Sequence, residues 1–271
     1  KRMNVLILTD FSKVATNAAK YGIHLFKDVS ANFYLFNFDK FDQGEDGILN
    51  PADNQTEAVE NLYKHFKELQ SYSSNKEHSF KAVFSEDNLV NATRKFVAEK
   101  RIDLIVMGAA GRDSVKNTVL GNHTYEIIRK IKCNLLAVPE ECSYVLPEKL
   151  ILPIDYSASF NNGLFKFFEH PGIANNAAIT VMEIADNSLA QTHHQNPREL
   201  VFDFLNSENV KFVEINEKYI HNRRLLRDVQ KKYDMIAILG KNLNICERFL
   251  DVKCGVCTGV SNKLPILVLH G

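Results

Sequence analysis

The stretch from Ile102 to Pro139, IDLIVMGAAGRDSVKNTVLGNHTYEIIRKIKCNLLAVP, constrains the fold more than any other part of the chain. It opens with an apolar-rich run, Asp103 to Met107, which reads as a buried strand. Gly108 ends that run, Gly111 follows, and Gly121 comes after nine further residues. Tyr125, Ile128 and Ile131 then recur at helical spacing, and Leu135 to Val138 is a second apolar run. Strand, glycine-bearing loop, helix and strand in this order are the build of a phosphate-holding βαβ unit. Each glycine has a physical use there. Gly108 lets a ligand lie against the backbone, and Gly111 permits a positive φ. Gly121 precedes a helix whose free N–H groups and dipole attract anions. No Gly-Lys-Ser/Thr follows, so this is not a Walker loop, and the G-x-G-x-x-G dinucleotide fingerprint is also missing. Two glycines three apart occur in ordinary loops as well, so the pattern alone leaves both readings open.

The spacing G-x2-G-x9-G after a strand ending in Met107-Gly108 resembles the nucleotide loop of the universal stress proteins. That family places Ser or Thr after the third glycine, and this chain has Asn122. The resemblance extends to Val5-Leu-Ile-Leu-Thr-Asp10-Phe-Ser12, where a strand ends in an acid and then Ser, similar to the family's opening. It implies binding of ATP or AMP, with or without Mg, regulation under stress, and dimer-like assembly. It also implies a binding set of Asp10, Phe38, Met107, Gly108, Gly111, Arg112, Gly121, Asn122 and His123. Within that set Asp10 would stand near the base or ribose, and the backbone at Phe38 against the adenine. The family usually carries an aliphatic residue at that last position. Asn122 caps a helix as well as Ser does and can donate to a phosphate through its amide. Arg112 and Lys116 either neutralise phosphates or are simply solvated.

A length of 271 residues suggests two domains of ordinary size, and 45% hydrophobic residues is ample for a core. Charge is balanced at 33 basic and 33 acidic side chains, which argues against a nucleic-acid or membrane partner. No apolar run reaches the about 18 residues of a membrane span. Asp10 interrupts the first apolar run, so no signal-peptide pattern opens the chain. Five cysteines without framework spacing fit a reducing, cytoplasmic compartment.

Read in order, Val5 to Leu8 is a strand and Phe11 to Phe26 a helix that Ser12 can cap. Asn32 to Phe38 is a strand, Lys40 to Asn54 a loop, Thr56 to Gln70 a helix, His78 to Phe84 a strand and Asn88 to Lys100 a helix. The alternation implies an open parallel five-stranded sheet with helices on both faces, and the family resemblance implies a Rossmann-like α/β fold close to the adenine nucleotide alpha hydrolase type. After Glu140 to Glu148, read as a linker, the pattern restarts. Leu150-Ile-Leu-Pro-Ile-Asp155-Tyr-Ser157 repeats the first strand 145 residues on. Tyr233 to Ile238 and Pro265 to Leu269 repeat Ile102 to Met107 and Asn134 to Val138 at a common offset of 131. The expectation is two tandem sheets of this kind, a domain over residues 1–140 with an intact loop and a degenerate one over residues 147–271. At that offset Gly108 becomes Leu239, Gly111 becomes Asn242 and Gly121 becomes Val252, with Asp251 beside it, and Gly240 survives one place out of register. The two copies are expected to pack about a pseudo-two-fold axis through their apolar final strands, as an intramolecular pseudo-dimer, with a homodimer as a further arrangement.

Cys254-Gly-Val-Cys257 is a CxxC near an expected helix start, with Cys246 the nearest further thiol. Buried structural thiols, a redox pair and a metal site are its three readings, the first favoured by packing of the equivalent helix. His193-His194 reads as surface loop. The functional expectation is a stress-response regulator that binds a nucleotide and an unidentified protein, and that hydrolyses ATP very slowly at most. The alternatives are a nucleotide-free scaffold, favoured by Asn122, Phe38 and the ruined second loop, and a thiol oxidoreductase resting on the CxxC alone.

Overall fold

The computed structural model describes residues 2–38, 51–110, 119–155, 163–170, 177–185, 197–205, 209–216, 223–242, 245, 249 and 262–271. Within them the first half runs β1 (Met3–Leu8), α1 (Lys13–Leu25), β2 (Ala31–Phe38), α2 (Pro51–Tyr72), β3 (His78–Ser85), α3 (Leu89–Lys100), β4 (Leu104–Gly108), α4 (Asn122–Lys130) and β5 (Leu135–Val138). The second half runs β6 (Lys149–Ile154), a 3-10 turn (Lys166–Glu169), β7 (Ala178–Ala185), α5 (Pro197–Leu205), β8 (Val210–Asn216), α6 (Arg223–Lys232), β9 (Met235–Leu239) and β10 (Ile266–Leu269).

All ten strands form one sheet, in the order β3-β2-β1-β4-β5-β10-β9-β6-β7-β8. Each half is parallel throughout. The halves meet where β5 and β10 pair antiparallel, with Leu136 opposite Leu267. Read inward from either end the order is the same, so the expected two sheets are fused at their final strands into one. Apolar cores lie on both faces and each runs through the seam without a break.

The repeat extends to hydrogen bonds. Asp103 Oδ2 accepts from the Asn4 N–H at 2.9 Å, and Asp234 Oδ2 accepts from the Lys149 N–H at 2.9 Å. In both copies this carboxylate ties the start of the fourth strand to the start of the first.

Helix starts follow local chemistry. Ser12 caps α1, its Oγ accepting from the Ala15 N–H, as expected. Asn88 caps α3 by accepting from the Asn91 N–H. The reading of Lys40 to Asn54 as loop is corrected at its end, because α2 begins at Pro51. Proline suits the first helical position, where its missing N–H costs nothing. No helix among the described residues is long and apolar enough to cross a membrane.

The stretch read as a linker is packed, not loose. Cys142 is buried, the Tyr144 hydroxyl donates to Asn17 Oδ1 at 2.7 Å, and Asn17 Nδ2 donates to the Pro139 carbonyl at 2.8 Å. A fragment of residues 1–143 loses the cover of β5 and is expected to self-associate through it, giving a dimer in sedimentation velocity. A stable monomer at all concentrations would rule out the seam as an interface.

Candidate functional site

The carboxyl edge of the first half is built from the ends of β1, β2 and β4 and the start of α4. After β1 the chain turns sharply. Phe11 sits at φ 60°, in the left-handed region, at a cost on the order of 1 kcal/mol or more. Two side-chain hydrogen bonds hold the turn. Thr9 Oγ1 accepts from the Phe11 N–H at 3.0 Å, and Asp10 Oδ1 accepts from the Ser12 N–H at 3.0 Å. Asp10 is exposed. Beside it, the buried Asn37 amide donates to the Thr9 carbonyl at 2.8 Å and fixes the end of β2 to the end of β1. Phe38, half-buried, follows at the strand end.

On the other side of β1, Met107 is buried in the core on the α4 face. Gly108 has a structural reason of its own. A Cβ there would lie 3.0 Å and 3.2 Å from the two Val14 methyls, so its missing side chain makes room for α1. Thr124 Oγ1 donates to the Gly108 carbonyl at 2.8 Å, and the Gly121 N–H donates to the Ala109 carbonyl at 2.8 Å. These bonds pin the start of α4 against the end of β4.

Gly121 is itself the N-cap of α4 and has no side chain to offer. Asn122 is the first helical residue, which corrects its reading as the cap. Asn122 and His123 are exposed on the first turn, and no acceptor among the described residues meets their N–H groups. First-turn N–H groups and the positive end of a helix dipole favour anions. His123 and Phe38 come together, their rings 6.4 Å apart between centroids and tilted by 80°. Gly111, Arg112 and Lys116 lie outside the described residues, as do Asp251, Val252 and His193-His194.

The second half fills the equivalent corner with its own side chains. Asp155 and Asn242 are both buried, and the Asn242 amide donates to the Asp155 carboxylate. Asn242 Oδ1 also accepts from the Ile245 N–H at 3.2 Å. Gly240 is needed there because the His270 ring covers it, 2.3 Å from where a Cβ would stand.

The family model for universal stress proteins matches residues 1–139. The chain belongs to the universal stress protein family. A curated universal stress protein of Methanocaldococcus jannaschii is 25% identical over 142 residues, 49% of this chain and 80% of its own length. A universal stress protein from Archaeoglobus fulgidus has a solved structure that matches with a TM-score of 0.70 at 12% identity, covering 98% of each chain. Another, solved in complex with cAMP, matches 50% of this chain and 96% of its own at 16% identity, with a TM-score of 0.37. The Archaeoglobus likeness shows that the family's fold extends over both halves.

Of the residues that the family resemblance singles out, the structure gathers Asp10, Phe38, Gly108, Gly121, Asn122 and His123 at one sheet edge, while the Met107 side chain belongs to the core. Thr124, Asn37 and Val14 were missed. Their roles depend on partners far away in sequence, and no local pattern marks them. The thiol reading rests on Cys254 and Cys257, which lie outside the described residues, as does Cys246. The described thiols, Cys133 and Cys142, are buried, which pushes each up to about 12.

Gly108→Ala is expected to cost about 1–3 kcal/mol through overpacking against Val14. Val14→Ala in the same chain should recover part of that loss in urea unfolding. Additive losses would reject the contact. His65, buried on α2 with its ring edge on Phe11 (centroids 6.0 Å apart), gives a pH test. Burial pushes its pKa down, Lys20 helps, and Glu68, 3.8 Å away, opposes. The folded chain therefore holds His65 neutral where the unfolded imidazole, near pH 6.5, is already charged. Its contribution is complete above about pH 6.5 and is lost as pH falls below it. His65→Leu should flatten that acid-side loss, leaving the same-signed shares of His24 and His270, whose pKa values burial also lowers. An unchanged slope would exclude His65.

Proposed function

We propose that the first half of this chain binds one adenine nucleotide, ATP or AMP, at the edge beside β1 and β4. It acts as a cytoplasmic stress-response regulator whose signal is the bound state, read by a protein partner, with little or no turnover. The observation that carries this reading is the first turn of α4, whose N–H groups stand behind a glycine cap with no side-chain acceptor. Phosphate oxygens fit those donors in charge and geometry, and the exposed Asn122 amide adds another. Asp10, exposed at the end of β1, suits the ribose hydroxyls. Among the described residues no three His, Cys, Asp or Glu side chains gather as a metal site, so magnesium would arrive on the phosphates. One site per chain is the expectation because Asp155 and Asn242 satisfy each other in the second half.

The second reading, a nucleotide-free scaffold of the same fold, is favoured by Gly108, which packing against Val14 explains with no ligand. Calorimetry separates the two. ATP or AMP should bind with one site per chain, blocked by Asp10→Ala and not by Asp155→Ala. Gly121→Asp should abolish binding, because a carboxylate near the phosphate repels it by about 1–4 kcal/mol. Aspartate is a good N-cap, so this variant should stay folded by circular dichroism. Two sites, or an unaltered affinity in Gly121→Asp, would overturn the proposal.

A further inference from the structure

Phe38 and His123 belong to different elements, yet their rings meet across the end of β1. β2 and β4 flank β1 in the sheet, Phe38 ends β2, and His123 lies on the helix that follows β4. The strand order reverses there, with β2 and β3 on one side of β1 and β4 and β5 on the other. Ligands of open α/β sheets bind at such a switch point. The two rings differ in freedom. Phe38 packs against the core on the α3 and α4 face, and the adjacent Asn37 amide anchors its strand end to Thr9. His123 is exposed on a first helical turn, where a side chain changes rotamer within nanoseconds.

Their spacing is informative. A planar base lies about 3.5 Å from a ring on each of its faces, so a sandwich needs rings about 7 Å apart. The centroids are 6.4 Å apart and the ring planes cross at 80°, so the pair stands edge-to-face. A sandwich therefore requires the His123 ring to turn parallel to Phe38 and the two rings to part slightly, a change that a new His123 rotamer can supply.

The geometry points to Phe38 and His123 as the two faces of a base clamp, Phe38 fixed and His123 mobile, with the pair resting edge-to-face when empty. The clamp rests on the nucleotide reading above and makes these two residues the determinants of base recognition. Its ligand is a planar heteroaromatic base carrying phosphates, with the phosphates on the first turn of α4.

The test titrates the full chain calorimetrically with ATP and with inorganic tripolyphosphate, which has phosphates and no base. Phe38→Ala should weaken ATP by about 5- to 100-fold and leave tripolyphosphate within about twofold. His123→Ala should weaken ATP in the same selective way, and His123→Phe should restore it, since stacking needs a ring and not an imidazole. Equal losses for both ligands, or no loss of ATP in Phe38→Ala, would overturn the clamp and leave the phosphate site standing. Failure of the unmodified chain to bind either ligand would overturn the nucleotide function together with the clamp.

Discussion

The antiparallel pairing of β5 with β10 is the constraint on which the rest of the structure depends. Leu135 to Val138 and Ile266 to Leu269 are all buried, at 0–1% exposure. Left unpaired, each would be a short, wholly apolar edge strand, a template for aggregation. Joined, they close both halves at once, and each large side chain buried there contributes about 1.5–3 kcal/mol. The antiparallel sense has a geometric consequence. The carboxyl edge of the first half lies on one rim of the sheet, and that of the second half on the opposite rim. The His270 N–H, just beyond β10, accordingly donates to Asn134 Oδ1, just before β5, at 2.9 Å.

Opposite rims let the two corners diverge. A change at Asp155 or Asn242 can reach the first-turn amides of α4 only through the sheet between them. The second corner shows what divergence looks like in physical terms. A buried carboxylate needs a donor, and where a phosphate-binding loop would leave room, Asn242 supplies one from within the chain. At Gly240 the His270 ring occupies the place of a Cβ, and at Gly108 the Val14 methyls crowd it. A glycine in this fold therefore records how closely elements approach, and a ligand is only one of the things that can approach.

This is also why the sequence was legible in some places and not in others. The succession of strands along the chain, the duplication and the role of the final strands follow from apolar runs and their offsets, because burial imposes a pattern on every residue of a strand. The caps at Ser12 and Asn88 are similarly local. The purpose of Gly108 was not legible, since Val14 lies on another helix and nothing near Gly108 in sequence refers to it. The start of α2 was misplaced because proline reads as a breaker inside a helix and as a starter at its first position. Asn122 was taken for the cap because its residue type caps well, but the hydrogen bond from Gly121 to Ala109 sets the helix start one residue earlier. The candidate site was legible as a rim, and the ring contact of Phe38 with His123 across it was not.

The stretch between the halves changes how the seam should be understood. A flexible tether would favour pairing by raising local concentration, to about millimolar. This segment does something stronger. Tyr144 bonds Asn17, its ring lies near Tyr21 and His24 of α1 and Tyr72 of α2, and the buried Tyr21 hydroxyl donates to the Val145 carbonyl at 3.4 Å. The connection is thus held on α1 before β6 begins. The same helix carries Val14 at its other end, against Gly108, and starts at the Asp10–Ser12 turn. One rigid helix therefore fixes both the site turn and the exit of the chain toward the second half. A strap attached there restricts the orientations open to the second half and so lowers the entropic cost of pairing β5 with β10.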